Sequence, residues 1–278
     1  MTTGAVIFAQ NNDTVDYVKL AVFAASRIQK FLNIPVSIVT DSRGWLEQTY
    51  PNHGFDKIID AEISNKYYRK KFHDGSLASK TTEWKNLSRT TIYDLTPYDK
   101  TLVIDSDYII NSDILKSALD NNQDLQLYSK SLDLSGWREG KEFQRINEFS
   151  IPFYWATTFI FKKNNVTESF FTLIKYIKEN WDYYTALYNI ESILYRNDYA
   201  FSIAIHIMNG NQEGYFAQEL PGTMIYTTDK DLLVDIDGGK LKFLVEKQNH
   251  LGEYIAAATN GLDVHVMNKI SLSRCLDE

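Results

Sequence analysis

The chain of 278 residues carries a single cysteine, Cys275. An internal disulfide and a thiolate metal cluster are thereby excluded, and a reducing, cytoplasmic setting is expected. No apolar stretch approaches the length that a membrane span requires. No basic leader precedes the apolar segment that follows Met1-Thr2-Thr3-Gly4, so a secretory signal is not expected. Basic residues are not in excess: 29 Lys and Arg against 36 Asp and Glu leave a formal charge of −7. That balance disfavours a general electrostatic grip on a nucleic-acid backbone. Glycine-rich dinucleotide and phosphate loops, a nucleophile elbow and a His-Glu-x-x-His helix are all missing. Dehydrogenase, P-loop ATPase, serine-hydrolase and zinc-protease chemistry lose their usual support with them. Repeats, low-complexity tracts and Pro/Gly-rich linkers are missing too, and one continuous domain over residues 1–278 is the simplest organisation.

What is present is an alternation of strand and helix signals in the first half. Ala5-Val6-Ile7-Phe8-Ala9 reads as a buried strand. Asn11-Asn12-Asp13-Thr14 supplies turn and N-cap residues. Val18, Ala21, Val22, Ala25, Ile28 and Leu32 then recur at helical spacing. Pro35 to Thr40 reads as a second strand, Lys57 to Asp60 as a weaker third, Thr81 to Leu95 as helical, and Thr101-Leu102-Val103-Ile104 as a fourth strand. Such alternation implies a parallel sheet with helices on its faces. Later come a strand at Phe153 to Phe161, helices at Glu168 to Trp181 and Ser192 to Met208, a hairpin turn at Asp237-Gly238-Gly239-Lys240, and a short strand at Asp263 to Met267. Class α/β follows, with a less regular, mixed second half.

Asp105-Ser106-Asp107 follows directly on the fourth strand. Residues i and i+2 of an extended chain project to the same side. Both carboxylates then face one cation at the carboxyl end of a central strand, where ligands of such sheets bind. Oxygen ligands suit a hard divalent ion, Mn²⁺ or Mg²⁺, shared with substrate phosphates. The bland alternative is a turn, since Asp and Ser favour turns. Asn111-Ser112-Asp113 fits that alternative better, as the cap of a helix from Ile114 to Leu119.

The flanking residues carry more than the triplet. Lys85-Asn86-Leu87-Ser88-Arg89-Thr90-Thr91-Ile92-Tyr93-Asp94-Leu95-Thr96-Pro97-Tyr98-Asp99-Lys100 runs into Thr101 to Ile110. The segment resembles the arginine-bearing helix, short loop and D-x-D strand of GT-A glycosyltransferases, above all the glycogenin and lipopolysaccharide-galactosyltransferase group. The resemblance implies a GT-A, Rossmann-like fold with a nucleotide-sugar half (1–125) and an acceptor-side half (126–278). It implies Mn²⁺ (or Mg²⁺) on Asp105 and Asp107 with His265 as third ligand. Ala9, Gln10 and Asn11 would line the nucleoside site, Arg89, Lys80 and Ser106 would face the donor, and Lys269 would contact the diphosphate. Asp198, in Arg196-Asn197-Asp198, matches an acidic position beside the transferred sugar, and Asp41 is placed to hydrogen-bond a ribose. Each has an ordinary alternative: a strand histidine for His265, a surface lysine for Lys269, a helix N-cap for Asp198, a turn aspartate for Asp41. The chain departs from the group at His265-Val266-Met267-Asn268-Lys269, which lacks the glycine of His-x-x-Gly-x-x-Lys, and at Tyr154-Trp155-Ala156-Thr157-Thr158, which replaces an Asn-x-Gly strand.

The implied reaction is retaining transfer of a sugar from a nucleoside diphosphate sugar, UDP-linked, to a hydroxyl acceptor. The whole chain also resembles glycosyltransferase-like proteins of large tailed phages, which would place it in a host cytoplasm. Acceptors then include modified DNA bases and virion or host glycans, besides protein. Two rivals stand beside this. A sugar-1-phosphate nucleotidyltransferase would want a glycine-rich basic loop where Gln10-Asn11-Asn12-Asp13 stands. A non-catalytic binding or phage structural protein would keep the fold alone. Lys66-Tyr67-Tyr68-Arg69-Lys70-Lys71-Phe72-His73 interleaves bases with aromatics; it reads as a solvated loop or helix face, a nucleic-acid or phosphate contact, or a flap over the donor.

Overall fold

The computed structural model describes residues 1–61, 68–85, 88–138, 140–147, 150–191 and 194–277. In chain order, β1 (Thr3–Ala9), α1 (Tyr17–Leu32), β2 (Val36–Thr40), α2 (Arg43–Thr49) and β3 (Ile58–Asp60) precede a hairpin of β4 (Tyr68–Asp74) and β5 (Ala78–Trp84). A 3₁₀ turn (Ser88–Thr91) opens into α3 (Ile92–Leu95), followed by β6 (Lys100–Asp105), β7 (Tyr108–Ile109), α4 (Lys116–Asp120), β8 (Leu125–Tyr128), β9 (Ser131–Asp133) and β10 (Trp155–Lys162). Then come α5 (Asn165–Glu179), α6 (Trp181–Leu187), α7 (Asn197–Met208), β11 (Gln218–Glu219), β12 (Met224–Thr227), β13 (Leu232–Asp237), β14 (Lys240–Glu246), β15 (Tyr254–Asn260), β16 (Val264–Val266) and α8 (Lys269–Cys275).

The central sheet has the order β11-β8-β10-β6-β1-β2-β3. Strands β3, β2, β1 and β6 run parallel, while β10 is antiparallel to both β6 and β8. The mostly parallel α/β class expected from the alternation is therefore the observed one. β2 is buried along its whole length, and β1 and β6 at all but one end residue, because helices cover them. Helix α1 packs on β1 and β2, and α7 packs on β10 with α5 behind it. A second sheet, β7-β16-β12-β9, and a third, β13-β14-β15, complete the C-terminal side.

Helix α1 carries a wider buried face than a single stripe. Val18, Ala21, Ala25, Ile28 and Leu32 join the main core, as predicted, while Leu20 belongs to a second core with Leu233, Leu241, Phe243, Val264 and Leu272. The C-terminal sheet and α8 thus press on the helix from another side. Lys100, at the start of β6, is fully buried and donates to the carbonyls of Ala118, Leu119 and Asn121 at 2.8, 2.7 and 2.6 Å. Those acceptors are the carbonyls that close α4, the Ala118 one shared with the Gln126 side-chain amide at 3.0 Å, so the charge is satisfied by a helix terminus.

Several expected elements differ. Thr81 to Leu95 is not one helix: Thr81 to Trp84 belong to β5, and α3 covers only Ile92–Leu95. The interruption follows from inward Thr82, whose hydroxyl is bound by Asp13, and Phe72 opposite Lys80, which commit the segment to a pleat. Gly75, at φ +75°, makes the turn between the strands. The basic-aromatic run is likewise strand from Tyr68 to His73 rather than loop or helix, and Lys66 and Tyr67 lie outside the described residues. The N-cap position of α1 is Asp16, which accepts the Lys19 amide, and of residues 11–14 Asn11 adds a bond to the first turn through the Val18 amide. Helix α4 starts at Lys116 without a side-chain cap; the Asn111 and Ser112 amides instead donate to Asp263 at 2.7 and 2.8 Å. Helix α7 begins at Asn197, after an extended Arg196, and Ser192 lies outside the described residues. Among the described residues no helix is long and apolar enough to cross a membrane.

Candidate active site

Strand β6 ends at Asp105, and the chain turns at Ser106 and Asp107 before β7. The two carboxylates therefore converge through a turn rather than through a continued strand. Strand β16 pairs antiparallel with β7, His265 opposite Tyr108, and the Val266 amide donates to the Asp107 carbonyl at 2.9 Å. This pairing delivers His265 to the aspartates: one ligand atom each from Asp105, Asp107 and His265 lies within 4.8 Å of the others. His265 Nε2 is 3.4 Å from Asp107 Oδ2, and the Trp155 ring meets the imidazole edge-on at 5.8 Å. Two residues past β16, Asn268 caps α8 by accepting the Ser271 amide, which sets Lys269 at the helix start with Nζ 2.5 Å from Asp107 Oδ2.

The electrostatics are tightly balanced. Burial favours a neutral Asp107, but Lys269 and His265 outweigh it and hold its carboxyl well below the ordinary range. Burial likewise opposes the Lys269 ammonium, and Asp107 and Tyr17 more than offset it. Arg89, 3% exposed, pairs with Asp105 and donates to the Ala156 carbonyl at 2.6 Å. Its pKa falls to about 10 through burial, against the pull of Asp198 and Asp107. The Tyr17 phenol is pushed up to about 12, chiefly by burial.

Do these residues suit a cation? Asp107 Oδ2 and His265 Nδ1 are buried and make no aligned hydrogen bond, although the oxygen has its ion pair with Lys269. Buried polar atoms without such bonds are rare. Two carboxylates and an imidazole are a donor set for Mn²⁺ or Mg²⁺. The residues fit.

The group opens into a cleft of about 610 Å³ at the carboxyl end of the parallel strands. Of the residues singled out in the sequence, Gln10, Arg89, Asp105, Ser106, Asp107, Asp198, His265 and Lys269 line it. Asp198 sits in the first turn of α7, accepts the Ala156 amide at 2.9 Å and pairs with Arg196 at 3.3 Å; the N-cap position itself is Arg196. Four others stand elsewhere. Ala9 is buried beside Thr40, and Asn11 accepts the Val18 amide at 2.9 Å at the head of α1. Asp41 faces Lys85 at 3.2 Å, and Lys80 faces Asp13 at 3.6 Å.

The cleft also contains residues that the sequence did not single out as site residues: Tyr17, Trp84, Arg138, Phe143, Trp155 and Asp229. Arg138 is bound to Asp231 at 2.8 and 2.6 Å and to Asp133 at 3.0 Å, a buried network that fixes this wall. Nothing local in the sequence marks Arg138 or Tyr17, since only distant contacts turn them inward. Lys70 lay within the basic-aromatic run, which was the available signal.

No family model matches the chain, and no curated protein matches it in sequence. Solved structures of similar fold include the glycosyltransferase GlyE of Streptococcus pneumoniae TIGR4, with 13% identity and a TM-score of 0.45 over 79% of this chain and 45% of that one. This chain thus spans less than half the length of GlyE. The galactosyltransferase LgtC, in complex with donor and acceptor sugar analogues, has 13% identity and a TM-score of 0.43 over 78% of this chain and 72% of its own. The 4-diphosphocytidyl-2C-methyl-D-erythritol synthase of Anaerococcus prevotii has 12% identity and a TM-score of 0.37 over 80% and 89%. At these identities the likeness concerns the fold alone. GT-A glycosyltransferases, the group that the sequence resembles, are among these structural neighbours, and so are nucleotidyltransferases.

Proposed function

We propose that the protein is a divalent-metal-dependent glycosyltransferase that moves a sugar from a nucleoside diphosphate sugar, UDP-linked, to a hydroxyl acceptor. The observation that carries this reading is the meeting of Asp105, Asp107 and His265 within 4.8 Å on the floor of a cleft at the sheet's carboxyl end. Asp105, Asp107 and His265 would hold Mn²⁺ or Mg²⁺, whose chemistry is to neutralise charge on a departing diphosphate. Lys269 adds a point charge beside the same oxygens, and its pairing with Asp107 holds it there before substrate arrives. Arg89 steadies Asp105 from the buried side. Asp198, fixed by the Ala156 amide and Arg196, is our choice for a sugar or acceptor contact. Gln10 and Ser106 line the cleft on the donor side in this reading, and Ala9, Asn11, Asp41 and Lys80 have no part in it.

The chain is read as one domain, with the nucleotide-sugar half at 1–125 and the acceptor side at 126–278, and transfer is read as retaining. The test is incubation with a panel of nucleotide sugars and Mn²⁺. Release of UDP that disappears in Asp105→Ala and Asp107→Ala supports transfer. Pyrophosphate release from a nucleoside triphosphate and a sugar phosphate would replace it with nucleotidyl transfer. A wild-type protein that binds no nucleotide would overturn both.

A further inference from the structure

The β4–β5 hairpin forms a wall of the cleft and is anchored at both ends. At its base, Asn12 donates to the Glu83 carbonyl at 2.9 Å and Asp13 binds the Thr82 hydroxyl. Near the turn, Arg274 on α8 holds Asp74 through two bonds of 2.9 and 3.0 Å, and the Tyr254 hydroxyl accepts the Ser76 amide at 2.8 Å. Strand alternation puts Tyr68, Lys70 and Phe72 on the same face as Thr82 and Trp84. Phe72 and Thr82 on that face are buried, whereas Lys70 opposite Thr82 and Lys80 opposite Phe72 stay exposed; of the two lysines, Lys70 lines the cleft and Lys80 does not.

The Lys70 ammonium reaches the cleft 5.9 Å from the Phe72 ring centre and 5.6 Å from that of Trp84. The rings hold the cation but bring no opposite charge. Arg89, Arg138, Arg196 and Lys269 each pair with a carboxylate; Lys70 has no such partner among the described residues. Lys269 and Arg196 repel it, and Asp229 and Asp107 act in the opposite direction with smaller effect. Three cations therefore line one space, and with Arg196 and Lys269 each paired to a carboxylate, Lys70 is the positive charge left over. An anion entering that space would relieve it.

We propose that Lys70 is a phosphate-binding residue of this cleft, supplied by the hairpin wall, and that with Arg196 and Lys269 it encloses the donor diphosphate. This rests on the nucleoside-diphosphate reading above and adds a residue and an element to it. Desolvation among the cleft residues, with repulsion from Lys269 and Arg196, lowers the Lys70 pKa to about 8, although the side chain keeps much of its surface open to solvent. The unliganded lysine is then charged below that pH and loses its charge above it, so diphosphate affinity falls as pH rises from 7 to 9.

The experiment titrates UDP, uridine and inorganic pyrophosphate, each with Mg²⁺, into wild type, Lys70→Met and Lys70→Arg by calorimetry. Loss of one charge-assisted contact predicts UDP and pyrophosphate binding weaker by roughly 10- to 100-fold in Lys70→Met, with uridine unchanged. Lys70→Arg should retain affinity and lose less of it at pH 9 than wild type does. UDP affinity in Lys70→Met within twofold of wild type overturns the proposal. So does an equal loss for uridine, which would mean that the wall has merely collapsed. Phosphate binding to the UDP complex that needs Lys70 would move the site to the acceptor and overturn the donor assignment. Wild type that takes pyrophosphate through Lys70 but neither UDP, GDP, CDP nor ADP would sink the nucleotide reading and leave the phosphate site standing. Wild type that binds no pyrophosphate and no nucleoside diphosphate sinks the site itself.

Discussion

Strand β6 meets a neighbour along both edges, β1 on one side and β10 on the other, whereas among the described residues the β4–β5 hairpin pairs only with itself. Both border the same cleft. Five of the six β6 residues are buried, and Asp105 at its tip inherits that fixed position. The hairpin instead presents mostly exposed residues and depends on a few polar ties to the β1–α1 loop, Tyr254 and α8. The difference teaches a division of labour. In the proposed reading, the groups that hold geometry stand at the tip of the interior sheet and on β16 of the second sheet, and the group that adjusts affinity stands on the separable wall.

The comparison breaks if the floor can be altered without loss of turnover. Asp107→Asn should lower nucleotide release on the order of 1,000-fold, with the circular dichroism of the folded protein preserved. Full turnover in that variant would remove the floor from the chemistry. Chelation should be nearly as damaging: dialysis against EDTA is expected to reduce activity to background, and added Mn²⁺ or Mg²⁺ to restore it. His265→Ala should weaken metal affinity by roughly 10- to 100-fold, a loss of the size found even for groups one step removed from a metal. Calorimetric titration of Mn²⁺ measures it, and an unchanged affinity would reduce His265 to a strand histidine.

Two further variants separate scaffold from wall. Lys100→Met leaves the Leu119 and Asn121 carbonyls without this donor and Ala118 with only its bond from the Gln126 side-chain amide. Urea unfolding should show a loss of about 2–4 kcal/mol, with kcat unchanged below the transition because Lys100 does not line the cleft. Arg274→Ala removes a half-exposed tie at the far end of the hairpin. A stability change of about 0.2–1 kcal/mol is expected, with KM for the donor rising more than kcat falls. A fall in kcat matching that of the floor variants would erase the distinction between the two regions.

The same contrast governs what could be read from the residues. Thr101 to Ile104 and Ala5 to Ala9 are continuous apolar runs, and such runs are legible because only a fully covered strand tolerates them. The α1 periodicity was legible for its main face, yet Leu20 was missed because the second core presses on the helix from the C-terminal sheet. Thr81 to Trp84 was misread as helix because both faces of the hairpin carry polar residues, so no period marks the strand. Gly75 makes the turn at φ +75°, and pairing with Tyr68 to Asp74 is what decides the pleat.

The sequence by itself determined that a buried strand would end in two carboxylates, since apolar burial and local spacing are properties of neighbouring residues. His265 and Lys269 were anticipated from the resemblance alone, and their meeting with Asp107, like the place of Lys70 in the cleft, comes from tertiary structure. Their positions depend on which distant strands pair and which helix end faces inward. Those choices are set by the packing of two cores together, and no local window of residues contains them.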